Sequence, residues 1–210
     1  MKHVTAKEID EMEKIFRLNL INSITGYKSA NLIATKSKDG ITNVAVFSSV
    51  IHLGSNPPLL GFILRPTTVP RNTFNNLKET GVYTVNHIYK DIIKDAHHTS
   101  ASYDGKISEF NKTDLKETYR DGFFAPFVEG CKISIACTYK NEYFLKENEC
   151  YLIIGAIEHV YFEDNLQTED GFINLEKAET VAVNGLDGYA LPKLLERFEY
   201  ARPKKENNGS

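Results

Sequence analysis

The sequence predicts a mainly β chain with helices (α+β), folded as an antiparallel barrel with helices packed on its outside. Three observations carry that prediction. Segments of strand period outnumber those of helix period. The strands come as hairpins joined by tight turns. No steady alternation of strand and helix, as a parallel sheet requires, runs along the chain.

The elements follow in order. Residues 5–22 read as one helix, opened by a Thr5/Glu8 capping box in which each side chain accepts a first-turn N–H. Ile9, Met12, Phe16 and Leu20 recur at helical spacing and form a stripe that packs on the barrel or on a partner subunit. From Ala30 the period becomes that of strands. Leu32–Thr35 is followed by an Asp39-Gly40 turn and a long strand from Thr42 to Leu53. Gly54–Pro58 breaks that strand, because proline offers no ladder donor. Leu59–Leu64 is a short apolar strand. Pro70 starts a helix over Arg71–Glu79, and Gly81 suits its left-handed cap. Val82–Ile88 is a strand and Tyr89–His98 a second helix. Thr99–Phe127 is polar and irregular, the kind of long loop that usually carries function. Cys131–Phe144 and Cys150–Phe162 form a long hairpin turning at Lys146–Glu149. Leu175–Val183 adds a strand, and Asn184–Tyr189 is a turn-rich segment before a last element, Leu191–Tyr200. The domain reading is a helix over 1–22, a barrel domain over 23–203 and a disordered charged tail over 204–210.

Bulk properties narrow the class. A chain of 210 residues reads as one domain. A net charge of −3 gives no broad basic surface for nucleic acid. No apolar run approaches the roughly 18 to 20 residues that span a bilayer, and the N-terminus does not read as a signal peptide. Cys131, Cys137 and Cys150 are odd in number and lack CxxC spacing, so they read as reduced thiols of a cytoplasmic protein. Cys131 and Cys137 share one face of the predicted strand, which favours packing over nucleophilic work. With 11 Tyr, 12 Phe and no Trp, a ring stacked on a ligand is Tyr, Phe or His.

Three groups of residues are candidates for chemistry. Arg71-Asn72-Thr73 opens a helix whose first N–H groups are free and positively polarised, with Arg65 a second cation just before. That arrangement suits a phosphate, and equally an ordinary solvated cap. In Ser48-Ser49-Val50 two serines, poor strand formers, interrupt an apolar strand. Either the strand offers polar groups to a heterocycle there, or it bulges or turns one serine to solvent. His97-His98-Thr99-Ser100 lacks metal-ligand spacing, because adjacent helical side chains diverge by about 100°. A pocket-lining histidine and a histidine favoured by the helix dipole both fit. The Rossmann, P-loop and GxSxG signatures are absent.

In order and spacing these pieces resemble the flavin reductase-like, FMN-binding split-barrel family. The matching pieces are Leu32–Thr35, Asp39-Gly40, Phe47–Val50, Asn56-Pro57-Pro58 with Leu59–Leu64, Arg71–Thr73, Gly81 and Tyr83-Thr84-Val85-Asn86. Further on come His97–Ser100, Ser108-Glu109-Phe110, Pro126 with Val128-Glu129-Gly130, and Gly155. Gly26-Tyr27-Lys28-Ser29 departs from the family's usual proline-rich entry, and Asn184–Tyr189 and Leu191–Pro203 match its C-terminal pattern only loosely. The resemblance implies an antiparallel split β-barrel of FMN-binding type with flanking helices, working as a homodimer. It implies FMN phosphate against Arg71, Asn72 and Thr73, with Arg65 near. It implies the flavin ring edge at Ser48, Ser49 and Val50, with Lys28, Ser29 and Ala30 beside it and His97 and Ser100 closing the pocket. NADH or NADPH would then reduce the flavin, which does its own chemistry at N5, so that no catalytic acid or base is expected. A partner monooxygenase would use the product. A non-catalytic FMN carrier or sensor, a pyridoxamine-phosphate oxidase-like flavoprotein and a haem-binding barrel are the alternatives.

Overall fold

A computed structural model describes residues 1–69 and 71–203. Its centre is a seven-stranded antiparallel sheet. Two short helices, α1 (Ala6–Glu11) and α2 (Lys14–Ile24), precede it. The strands begin with β1 (Lys28–Ser29), β2 (Asn31–Lys36), β3 (Thr42–Phe47), β4 (Ile51–Ser55) and β5 (Pro58–Leu64). Helix α3 (Asn72–Thr80) leads into β6 (Val82–His87), and a 3-10 turn at Lys90–Ile92 leads into α4 (Ile93–His98). After a 3-10 turn at Glu109–Asn111 come β7 (Glu117–Thr118), β8 (Phe127–Val128), β9 (Ile133–Leu145) and β10 (Cys150–Phe162). A last 3-10 turn, Asp164–Leu166, precedes β11 (Ala182–Asn184) and β12 (Gly188–Ala190).

The large sheet runs β3-β2-β6-β9-β10-β5-β4, while β1-β11-β12 and β7-β8 form small sheets. Consecutive strands β3 and β4 thus lie at opposite edges. The sheet curls until those edges face each other, and it stays open between them: a split barrel. Its interior is filled by Ile33, Phe62, Leu64, Tyr83, Val85, Cys137 and Ile153, with Leu77 of α3 against them. The other face of β2 turns Leu32 and Ala34 into a second core with Val44, Ile88, Ala96 and Val128. Because β2 is covered on both sides, Asn31 to Thr35 are all buried, the polar Asn31 and Thr35 included. Gly155 is required by this packing: a Cβ there would lie 1.9 Å from the Tyr83 hydroxyl.

Several local expectations change. The helix read over 5–22 is two helices, broken at Met12-Glu13, where Glu13 accepts the N–H groups of Ile15 and Phe16. The Thr5/Glu8 capping box is present. Neither helix buries a residue, and Phe16 of the apolar stripe is 57% exposed. The strand read over Thr42–Leu53 breaks at Ser48–Val50, where the chain crosses from one sheet edge to the other. The helix read over Tyr89–His98 is a 3-10 turn followed by α4. Only Ala182-Val183 of Leu175–Val183 is strand, and Leu191–Tyr200 has no regular structure. Cys131 lies ahead of β9 in the outer core and Cys137 inside the barrel, so they do not share a face. Pro70 and the Lys204–Ser210 tail lie outside the described residues. Among the described residues no helix is long and apolar enough to cross a membrane.

Candidate functional site

The first part of the site is the start of α3. Arg71 is its N-cap in extended conformation, and no side chain caps the first turn. The leading N–H groups of a nine-residue helix are therefore left for something else. Around them the side chains are held. Thr73 is buried and accepts from Asn43 Nδ2 at 3.1 Å. Asn72 Nδ2 donates to the carbonyl of Gly105 at 3.2 Å, which brings the long loop after α4 over the helix start. Arg71 Nε donates to the carbonyl of Pro66 at 3.3 Å and so turns its guanidinium back along the loop. Arg65 stands exposed just past β5. At the far end of the helix Gly81 takes the left-handed conformation, φ 73°, and its N–H bonds Leu77.

The second part is the seam of the barrel. Ser48, Ser49 and Val50 belong to no strand ladder. The Ser49 hydroxyl takes the place of one: it accepts the Ile63 N–H at 3.1 Å and donates to the Ile63 carbonyl at 3.2 Å. This is the physical reason for a serine in an apolar run. Its side chain is engaged with β5, so any role toward a ligand falls to the backbone and to Ser48. Ser29 Oγ donates to the Val50 carbonyl at 2.8 Å and ties β1 to the seam. Lys28 Nζ points away, to the Asn22 carbonyl at 2.6 Å. Ala30 is buried in the outer core.

The third part is the end of α4. His97 Nδ1 lies 3.3 Å from the Tyr189 hydroxyl, with the rings edge to face. His98 Nε2 lies 2.6 Å from the Tyr103 hydroxyl. The two histidines diverge, as helical geometry demands, and each meets its own tyrosine. Ser100 is exposed, and its N–H bonds the His97 carbonyl at 3.0 Å. Both α3 and α4 pack on β3, so the strand that ends in the seam links the three parts.

Sequence reasoning missed Asn43, Gly105 and Tyr189. Asn43 carried a signal, as an amide in an apolar strand. Gly105 sits in a turn and Tyr189 in the short strand β12, and the partners of both lie far off in sequence. Burial pushes the Cys131 and Cys137 thiols up to about 12, which keeps both protonated and unreactive. Among the described residues no group of three His, Cys, Asp or Glu gathers as a metal site.

An open-seamed antiparallel barrel with an uncapped helix start beside the seam defines a split-barrel protein. Residues 27–184 match the flavin reductase like domain, and the chain belongs to that family of flavin-related oxidoreductases. It is 44% identical to a split-barrel protein of Shewanella frigidimarina NCIMB 400, provisionally named a flavin reductase. That match covers 96% of this chain and 100% of the other, with a TM-score of 0.92. Nitrilotriacetate monooxygenase component B from Bacillus cereus shares the fold at 22% identity and a TM-score of 0.80, over 95% of this chain and 98% of the other. An uncharacterized protein of Methanothermobacter thermautotrophicus is 33% identical over 154 residues, 70% of this chain and 69% of that one.

Proposed function

We propose that this chain binds FMN and reduces it with NADH or NADPH. The observation that carries the reading is the uncapped start of α3 at Arg71-Asn72-Thr73, set on the strand that ends in the barrel seam. Free first-turn N–H groups, a guanidinium and buried polar side chains are the donor set a phosphate monoester needs. Arg71 and the helix N–H groups hold the phosphate, with Asn72 and Thr73 fixing the loop geometry and Arg65 adding positive charge. The backbone of Ser48, Ser49 and Val50 meets the polar edge of the ring, supported by Ser29, which lies between Lys28 and Ala30 and ties β1 to the seam. His97 and Ser100 border the pocket.

When bound, the flavin supplies hydride acceptance at its N5. The protein's work is to bind, orient and desolvate, which calls for no acid or base among these residues. The chain acts as a cytoplasmic homodimer in this reading. Apolar side chains left at the surface, such as Phe16, Ile24 (73% exposed) and Ile51, are then covered by the second copy. Reduced flavin would pass to a partner monooxygenase, as the name of the Bacillus cereus relative suggests for that protein.

The test is anaerobic spectroscopy. Purified protein with FMN should show a bound flavin band at about 450 nm that NADH or NADPH bleaches faster than it does free FMN. Arg71→Ala should weaken FMN binding by about ten- to a hundred-fold, the worth of a charge-assisted contact, with unchanged circular dichroism. Bound flavin reduced no faster than free FMN would replace this reading with a carrier or sensor. Absence of flavin binding would end it.

A further inference from the structure

A cavity of about 350 Å³ lies at one end of the barrel, under the C-terminal segment. Its volume is within the range of small-molecule sites. Its wall is largely apolar, with Ile173, Leu175, Val181 and Leu194 among the lining residues. Polar residues also reach it, Ser29, Asn174, Glu176, Thr180 and Lys193 among them, and two of the polar lining residues, Asn31 and His87, face each other directly across β2 and β6. Asn31 is 2% exposed, and its Nδ2 has no hydrogen-bond partner among the described residues. His87 Nδ1 is likewise buried and unpartnered. Leaving two such groups empty-handed in an apolar wall costs stability, and their pairing at one spot calls for a common partner.

The chemistry of that partner follows from the groups. Burial lowers the His87 pKa to about 4, so the imidazole is neutral and offers one donor and one acceptor. The Asn31 amide offers the same two functions. A carboxamide or lactam edge, with C=O and N–H side by side, complements both, whichever way the Asn31 amide and the His87 tautomer are set. We propose that this cavity is a binding site for a neutral ring compound with a carboxamide or lactam edge, hydrogen-bonded by Asn31 and His87. The C-terminal segment closes it: the Leu194 N–H bonds Glu176 at 3.0 Å, and Arg197 pairs with Asp170 while lying 4.0 Å from the centre of the Phe172 ring. Of the residues assigned to flavin, only Ser29 and Ala30 line this cavity.

Benzamide is the probe, read by saturation-transfer NMR and by the His87 ring proton on the full chain, with and without FMN. It should bind one per chain at about millimolar affinity, as its size dictates. Benzoate and N,N-dimethylbenzamide, which both lack the N–H, should bind at least ten-fold more weakly. Asn31→Leu and His87→Phe should each weaken benzamide at least ten-fold. The two analogue ligands test the site on the unaltered protein should either variant fail to fold. No benzamide binding, equal binding of benzoate, or displacement of benzamide by FMN would overturn the proposal, the last by giving the cavity to the flavin ring itself. FMN binding is read separately at its own absorbance band, so failure of the flavin reading and failure of this one are told apart.

Discussion

Strand β2 carries a buried polar side chain near each of its ends, and the two are treated in opposite ways. Near the α3 end, Thr35 accepts a hydrogen bond from Asn76 at 3.0 Å, and the neighbouring Asn43 reaches Thr73 at 3.1 Å. These pairs stitch the helix onto the sheet. At the other end, Asn31 faces His87, and neither Asn31 Nδ2 nor His87 Nδ1, both buried, finds a partner among the described residues. The same residue types are thus structural glue in one place and an open hydrogen-bonding surface in the other. The difference lies in what packs above them: a helix with matching side chains, or an apolar cavity.

The comparison can be broken most severely with Thr35→Val. The change keeps the shape and leaves Asn76 Nδ2 buried without an acceptor, so urea unfolding should show a loss of about 1–3 kcal/mol. Asn31→Leu on the same strand should go the other way or do little, from no change to a gain of roughly 1 kcal/mol, because it removes a polar group that is already unpartnered. Similar losses for the two variants would show that the ends of β2 are alike. The smallest effect is in pH. The His87 pKa of about 4 in the folded protein lies below the ordinary 6.5, so as pH falls the unfolded chain takes up this proton first. The contribution of His87 to stability is complete above about pH 6.5 and declines toward pH 4. In His87→Phe the slope of stability against pH across that interval should be shallower, measured by denaturant melts at several pH values.

How much of this was legible in the sequence depended on how local the cause was. The Asp39-Gly40 turn, the Gly81 cap, the Thr5/Glu8 box and the long β9–β10 hairpin are dictated by neighbours in the chain, and all appear. The break at Ser48–Val50 is not local. Ser49 replaces a strand partner for Ile63, and nothing within the Thr42–Leu53 window announces that. Leu191–Tyr200 has apolar residues enough for an element, yet Leu195 and Phe198 remain more than 80% exposed, and the segment is held by Glu176 and Asp170 instead. For the candidate site, Arg71-Asn72-Thr73 stands out because helix punctuation is readable. The Asn31–His87 cavity is not readable, since its wall is assembled from residues near 30, 87, 175 and 193.

The strand order also bears on how the chain comes off the ribosome. The β2–β3 and β4–β5 hairpins are complete early, but β5 gains its second neighbour only when Phe62 meets Ile153 of β10. Until residue 156 has emerged, the apolar stripe of Leu60, Phe62 and Leu64 has no second strand to pair with along its whole length. Such long-range pairing slows folding and leaves a sticky edge exposed during synthesis. The open seam at Ser48–Val50 therefore has a temporal counterpart: the half of the sheet it separates is translated early and finished late, so nascent chains stalled before β10 should be bound by chaperones or lost to aggregation.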